Sequence, residues 1–188
     1  MNFLAHALLS GQDGDVLLGN LMADFLGPGI DSPDDLRVQS GIERHYKIDH
    51  FMDSHPLVAQ SRARLFPFYR HYSAVLVDVL YDHLLAINWE RFCDRSLQDF
   101  AFWVYAELGA RQHLMPARMK PIVPSMQADN WLVSYAESWG VRYALDRVHY
   151  RSRRAPTGEQ AWETFAPQKA LYEAEFLEFF PLIMKICE

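Results

Sequence analysis

The segment from residue 71 to 90 places charged groups where a folded chain normally buries apolar ones. It reads HYSAVLVDVLYDHLLAINWE, contains no Lys or Arg, and carries Asp78 and Asp82 four residues apart with His83 directly after. Positions i and i+4 share one face of a helix, and the rest of this face is apolar. A buried carboxylate is costly unless it is paired or bound to a metal. The segment therefore predicts a buried helix whose acids are neutralised from elsewhere in the fold, and a divalent metal is one way to do so.

Two other segments present His or Asp from an apolar background. The N-terminal region carries His6 in NFLAHALL and Asp24 in DVLLGNLMADFL. The segment HYKIDHFMDSHP carries His45, Asp49 and Asp53 at four-residue intervals, so these three also share a helix face. Imidazole nitrogens and carboxylate oxygens are common ligands of divalent metals.

Each of these residues also has a purely structural alternative. Asp24 could be an acid near solvent at the end of a helix, and His45 and Asp49 could be a solvent-facing pair on a charged helix. Asp78 and Asp82 could pair with arginines of other helices, and His83 could hydrogen-bond to Asp53 or to a backbone carbonyl. His6 could be an ordinary hydrogen-bonded core histidine. The occurrence of three such segments in one chain favours a metal site over these alternatives.

Spacing of apolar residues predicts the fold class. They recur at intervals of three and four almost throughout, and alternating runs typical of strands are scarce. We expect an all-α, single-domain helical bundle over residues 1–188. Ser32 followed by Pro33 predicts the start of a helix that ends at His55-Pro56, and Asp13 predicts the cap of another.

Later helices are predicted from the same signals. Asp94 or Ser96 should start one helix, and residues 125–139 should form another. A final helix should run from about 158–162 to 185, with bends at Pro167 and Pro181.

Composition excludes several classes of function. A net charge of −6 argues against a general nucleic-acid-binding protein. The two cysteines, Cys93 and Cys187, form neither a CxxC motif nor a disulfide framework, which suits a reducing cytoplasm. No apolar run is long enough to span a bilayer and no basic region starts the chain, so we expect a cytoplasmic protein without membrane contact. The P-loop and the GxSxG motif do not occur.

One basic cluster stands out in this acidic chain. Its members are Arg142, Arg147, Arg151, Arg153 and Arg154. It could be a solvated helix end, or it could dock an acidic protein or a phosphate group.

Six runs, in order, carry a resemblance that spans nearly the whole chain. They are NFLAH, GNLMADF, GIERHYKIDHFMDSHP, LVDVLYDHLLAINW, NWLVSYAESWG and YEAEFLEFFP. In these runs the chain resembles the acyl carrier protein phosphodiesterases, a family similar in turn to the helical HD-domain metal-dependent phosphohydrolases. The resemblance implies an HD-domain-like bundle that hydrolyses the phosphodiester joining 4′-phosphopantetheine to a serine of holo-acyl carrier protein. The products are apo-acyl carrier protein and free 4′-phosphopantetheine, and a metal-activated water is the nucleophile.

The resemblance also implies a cofactor, a partner and site residues. The expected metal is Mn²⁺, with Mg²⁺, Fe²⁺ or Co²⁺ as other divalent candidates, and the basic cluster would dock holo-acyl carrier protein. The implied catalytic residues are Asp24, His45 and Asp49. The implied metal ligands are His6, Asp24, His45, Asp78, Asp82 and His83. The chain departs from the family in having Tyr46 where we expect Arg, with Lys47 next as a substitute for a phosphate contact, and in having Leu84 where we expect Phe.

Two other functions remain compatible with these residues. One is a metal-dependent phosphohydrolase of a nucleotide or another small phosphate ester. The other is a non-catalytic helical protein that binds a carrier protein without turnover.

Overall fold

The computed structural model describes residues 2–28, 32–152 and 154–188, except for the side chain of Arg151. The described residues form eleven α-helices and no β-strand, in agreement with the all-α prediction. In chain order the helices are α1 (Phe3–Leu9), α2 (Gly14–Met22), α3 (Leu36–Ser54), α4 (Pro56–Tyr69), α5 (Ser73–Ile87), α6 (Leu97–Ala110), α7 (Ile122–Ala128), α8 (Trp131–Ser134), α9 (Ser138–Arg151), α10 (Gly158–Phe165) and α11 (Lys169–Cys187). No helix within the described ranges combines the length and the apolar character needed to cross a bilayer.

Side-chain caps set several helix starts, with one change from the sequence prediction. Asp13 caps α2 and Ser96 caps α6, as predicted. At α3 the cap is Asp35, whose carboxylate accepts hydrogen bonds from two backbone N–H groups of the first turn. The prediction of Ser32 as the cap and Pro33 as the first helical residue is therefore wrong. Aspartate caps a helix as well as serine does, and Ser32 instead accepts a hydrogen bond from a glutamine side chain of α3.

Two segments predicted as single helices are interrupted. Within 125–139 the backbone of Asn130 is left-handed, with φ of 46°, and it separates α7 from α8. Asparagine adopts this conformation more readily than most residues. The predicted final helix divides into α10 and α11 at a short turn that contains Pro167, whereas Pro181 lies inside α11.

Helix α5 is the central helix of the bundle. Most of its side chains are buried, and it packs against α1, α4, α9 and α11. The Asp82 carboxylate accepts hydrogen bonds from the backbone N–H groups of Leu4 (2.8 Å) and Ala5 (3.1 Å). The first N–H groups of a helix have no partner within that helix, so Asp82 caps α1 from outside. His6, one residue further along, is positioned by this contact.

Helices α2 and α3 approach closely because each has a glycine where they cross. A Cβ atom on Gly19 would lie 2.0 Å from the backbone oxygen of Val38, and one on Gly41 would lie 2.2 Å from the backbone oxygen of Val16. Any side chain at either position would overlap the other helix. The crossing holds α2, and the turn that follows it, beside α3.

The substitution Gly41→Ala tests this close approach. Overpacking of a dense helix contact costs about 1–3 kcal/mol, which outweighs the gain of up to about 1 kcal/mol in helix propensity. We expect the free energy of unfolding in urea to fall by about 2 kcal/mol. The matched control is Gly109→Ala in α6, where a Cβ would meet no atom within 4 Å, and where we expect a small stabilisation. Equal stabilisation by both substitutions would contradict the close approach.

Candidate metal centre and cleft

Side chains from three parts of the chain converge at one point. His6 comes from α1, and His45 and Asp49 come from successive turns of α3. One ligand atom from each of these three residues lies within 4.8 Å of the other two. Asp24, in the short turn after α2, places Oδ1 3.3 Å from His45 Nε2. The structure thus brings four of the predicted site residues together.

The orientation of the His6 ring is fixed by Asn20. The Asn20 amide nitrogen donates to the backbone oxygen of His6 (3.0 Å) and to Ser10 Oγ (2.9 Å), which leaves the amide oxygen facing the ring. His6 Nδ1–H donates to this oxygen at 2.8 Å. Because an amide oxygen can only accept, the proton is on Nδ1 and the lone pair is on Nε2. Burial lowers the pKa of His6 and keeps the ring neutral.

His45 and Asp49 form the charged part of the cluster. His45 Nε2 lies 3.1 Å from Asp49 Oδ2 as well as 3.3 Å from Asp24. Burial opposes a charge on His45, but the two carboxylates outweigh it and raise the pKa of His45 to about 9. Burial likewise opposes ionisation of Asp49, yet its hydrogen bond with His45 holds the pKa of Asp49 far below its usual range. The centre therefore holds two carboxylates beside His45. Because a ligating histidine must be neutral, a divalent ion bound here would replace the proton that His45 shares with them.

The donor set fits a divalent metal. His6 Nε2 is buried, and no described residue forms a hydrogen bond with it. It nevertheless lies 3.2 Å from Asp49 Oδ1. A nitrogen lone pair that faces an ionised carboxylate is unfavourable unless a cation lies between them. Imidazole nitrogen together with carboxylate oxygen suits borderline ions such as Mn²⁺, Fe²⁺, Co²⁺ and Zn²⁺.

The substitution Asn20→Ala tests how the histidine is held. Loss of a residue that orients a ligating histidine typically weakens metal affinity by 10–100-fold, and we expect a change of roughly this size, measured by titration of Mn²⁺ into the protein. Asn88→Ala is the matched control, since this asparagine lies after α5 and bonds to Leu84 and Glu173. Wild-type metal affinity in Asn20→Ala would refute the orienting role.

A cleft of about 380 Å³ opens beside the cluster. Asp24 and Asp49 line it at the cluster, and Asp78 lines it from α5. The apolar and aromatic part of the wall includes Phe3, Phe25, Val79, Trp131 and Tyr135. The cleft thus combines a carboxylate-rich end with an apolar wall, the usual composition of a small-molecule site.

Asp78 and Asp53 lie beside the cluster and share one partner. Arg62 donates to Asp53 at 2.6 Å and lies 3.9 Å from Asp78. This is the arginine pairing that the sequence left open as an alternative for Asp78. Asp78 still lines the cleft, and burial raises the pKa of its carboxyl group.

Asp82 and His83 are not among the residues whose ligand atoms converge. Burial raises the pKa of Asp82 to about 7, and both of its oxygens accept hydrogen bonds from α1. The His83 ring lies beside Trp162 and Phe165, and its Nδ1–H donates to the backbone oxygen of Tyr135 at 2.7 Å. The geometry therefore gives these two residues structural contacts, including the backbone carbonyl considered above for His83.

The described members of the basic cluster do not share one environment. Arg142 forms an ion pair with Glu159 at 2.8 Å, and Arg154 is exposed. Arg147 lines the cleft and lies over the ring of Trp131. Arg153 and the side chain of Arg151 lie outside the described part of the chain.

Sequence reasoning gave no functional role to several residues that the structure places at the site. They are Asn20, Phe3, Phe25, Trp131 and Tyr135. For Asn20 a signal was present, because it lies one helical turn before Asp24. For the aromatic residues no signal was present, because an apolar residue that lines a cleft cannot be distinguished by sequence from an apolar residue of the core.

Comparisons with known proteins agree over nearly the full length of the chain. The family model described as acyl carrier protein phosphodiesterase matches residues 1–183. A protein of Yersinia enterocolitica with this name is 31% identical over 188 residues, which cover 98% of this chain and 96% of the relative. Proteins with the same name from Photorhabdus laumondii and Pectobacterium atrosepticum are each 29% identical to this chain. Both matches cover 100% of this chain, and they cover 96% of the first relative and 98% of the second. No solved structure matches the chain.

Proposed function

The chain belongs to the acyl carrier protein phosphodiesterase family, and we propose that it hydrolyses the phosphodiester between 4′-phosphopantetheine and a serine of holo-acyl carrier protein. The products are apo-acyl carrier protein and free 4′-phosphopantetheine. The observation that carries this proposal is the convergence of His6, Asp24, His45 and Asp49 beside a cleft that Asp24 and Asp49 line. The free cysteines Cys93 and Cys187 suit a reducing compartment, and we place the reaction in the cytoplasm.

We propose that the four convergent residues hold a divalent metal, with Mn²⁺ as the first candidate and Mg²⁺, Fe²⁺ or Co²⁺ as others. When bound, such an ion lowers the pKa of a water molecule and neutralises charge on the phosphoryl group. Asp24 and Asp49 contribute ionised oxygens because their pKa values are lowered. His6 contributes the lone pair of Nε2, which Asn20 directs to the centre. The two Asp49 oxygens lie beside the Nε2 atoms of both histidines, so that one ion could be reached by all three residues.

We propose that the carrier protein docks on the exposed face of α9 and on the basic cluster. Trp139, Tyr143 and Tyr150 are exposed on this helix, and Arg142 lies beside them. Trp, Tyr and Arg are the residues enriched at the energetic centres of protein interfaces. Tyr143 also lines the cleft, so a partner on this face would present a serine-linked arm to the cleft opening. The exposed Arg154, which follows α9, adds positive charge that would attract an acidic carrier protein.

Mass spectrometry of holo-acyl carrier protein after incubation with this protein tests the function. We expect loss of the 4′-phosphopantetheine mass with added Mn²⁺ and an intact holo-protein with added chelator. Turnover that chelator leaves unchanged would refute the metal role. An intact holo-protein under both conditions, with Mn²⁺ binding shown separately, would point to a nucleotide or another small phosphate ester as the substrate. An intact holo-protein with no metal binding would indicate a carrier-binding protein without catalysis.

A further inference from the structure

Arg147 is held in the cleft, although its sequence places it in a surface-like basic cluster. Its guanidinium carbon lies 3.2 Å from the centre of the Trp131 ring. Gly140 lies in the first turn of α9 and lines the cleft. Because it has no side chain, α9 can lie directly against α8. A Cβ atom at Gly140 would lie 2.1 Å from the backbone oxygen of Ser134. The close approach of α8 and α9 thus sets the position of the arginine on the tryptophan.

Charge in the cleft makes this arginine distinctive. The carboxylates that line the cleft are Asp24, Asp49 and Asp78, and Arg147 is the one Lys or Arg among the described lining residues. An anionic ester that enters a cleft lined by ionised carboxylates is repelled unless positive charge is present to receive it. A metal at the cluster would offset part of this charge, and Arg147 adds a second positive group on another wall.

Other basic residues near the cluster are directed elsewhere. Lys47, two residues after His45 on α3, donates to the backbone oxygen of Ile186 near the C-terminus. Lys47, the expected substitute for a phosphate-binding arginine, thus lines a different pocket from the cleft. Arg62 is paired with Asp53 and lies near Asp78.

We propose that Arg147 binds the non-bridging oxygens of the substrate's phosphodiester, in the cleft and opposite the carboxylates of the cluster. The planar guanidinium stacks by its face on an aromatic ring while its N–H groups lie in the plane. Two parallel N–H groups of arginine can donate to two oxygens of a phosphate at once. Lysine cannot form this paired contact, because its ammonium group is a single point charge. The inference rests on the proposed function and changes the role of Arg147 from docking the carrier protein to contacting the reacting group.

Three measurements on Arg147→Met and Arg147→Lys separate the two roles. Methionine retains an apolar stem on Trp131 without the charge, and lysine retains the charge without the planar fork. We expect kcat/KM for holo-acyl carrier protein to fall by about 10²-fold or more in Arg147→Met, as when one donor to a developing oxyanion is removed, and to recover only in part in Arg147→Lys. Inhibition by inorganic phosphate should weaken by roughly tenfold, the equivalent of one lost charge-assisted contact. Binding of apo-acyl carrier protein, which lacks the phosphodiester, should be unchanged.

The matched control is Arg95→Met, because Arg95 also lies over a tryptophan, Trp103, at 5.6 Å, and is not part of the cleft. It should retain wild-type values in all three measurements. Weaker binding of apo-acyl carrier protein in proportion to the loss of kcat/KM would overturn the proposal in favour of a docking role, as would unchanged inhibition by phosphate. If the wild-type protein does not hydrolyse the holo-protein, the proposed function fails. Direct calorimetric titration of phosphate into the wild type and Arg147→Lys then still decides the role of Arg147, since equal affinities would overturn it.

Discussion

Replacement of Asp49 by asparagine is expected to lower kcat/KM for holo-acyl carrier protein by roughly 10³-fold or more. This carboxylate contacts the Nε2 atoms of both His6 and His45. An amide of the same size provides neither the negative charge nor two equivalent oxygens. The loss should exceed the 10–100-fold effect of a residue that only orients a metal ligand. Titration of Mn²⁺ should show a parallel loss of affinity, while thermal unfolding should show a folded protein.

The control for this substitution is Asp53→Asn, one turn further along the same helix. Asp53 shares the four-residue spacing with His45 and Asp49, but its carboxylate is exposed and pairs with Arg62. We expect a change of less than about threefold in kcat/KM, because a surface ion pair contributes about 1 kcal/mol or less. Equal losses in the two variants would show that the acidic face of α3 acts as a whole. Wild-type turnover in Asp49→Asn would remove Asp49 from the centre.

A second large effect is expected away from the cleft, at a buried ion pair between α4 and α11. Glu175 accepts hydrogen bonds from both terminal nitrogens of Arg64 and from Ser61 Oγ (2.6 Å). Ser61 in turn bonds to the buried hydroxyl of Tyr81 in α5 at 2.9 Å. Arg64 also lies over the Tyr172 ring. One carboxylate therefore joins three helices, and its loss removes the anionic partner of Arg64 and the carboxylate that accepts from Ser61.

The substitution Glu175→Ala should lower the free energy of unfolding by about 3 kcal/mol. Removal of one partner of a buried ion pair typically costs about 3–5 kcal/mol, and we expect the lower end of this range because Arg64 retains some access to water. The control is Glu178→Ala, at an exposed position of α11, where we expect a change within about 0.5 kcal/mol. Urea unfolding of the two variants measures the difference. A shift no larger than that of Glu178→Ala would show that the network adds nothing to stability. The metal affinity of Glu175→Ala should equal that of the wild type, because none of these residues lies at the cluster.

Local patterns were sufficient for the parts of the site that lie on one helix. The four-residue spacing of His45 and Asp49 places them on one face of α3 in any helical structure, and the structure shows them 3.1 Å apart. The same spacing could not show that Asp49, and not Asp53, belongs to the site. The choice depends on which turn of α3 lies beside α1, and this is set by the packing of the two helices. Apolar surroundings also predicted that Asp82 and His83 are buried, and both are.

The sequence by itself determined the helical class, the apolar face of α5 and the set of acids and histidines that need partners, because these follow from the period of the helix and the cost of burying charge. Only the tertiary structure decided which partner each residue has. Asp82 meets the N–H groups of α1, His83 meets a backbone oxygen, and Arg147 turns from a basic cluster into the cleft. Each of these contacts joins residues more than ten positions apart, and helix crossings set such contacts through packing that no local pattern records.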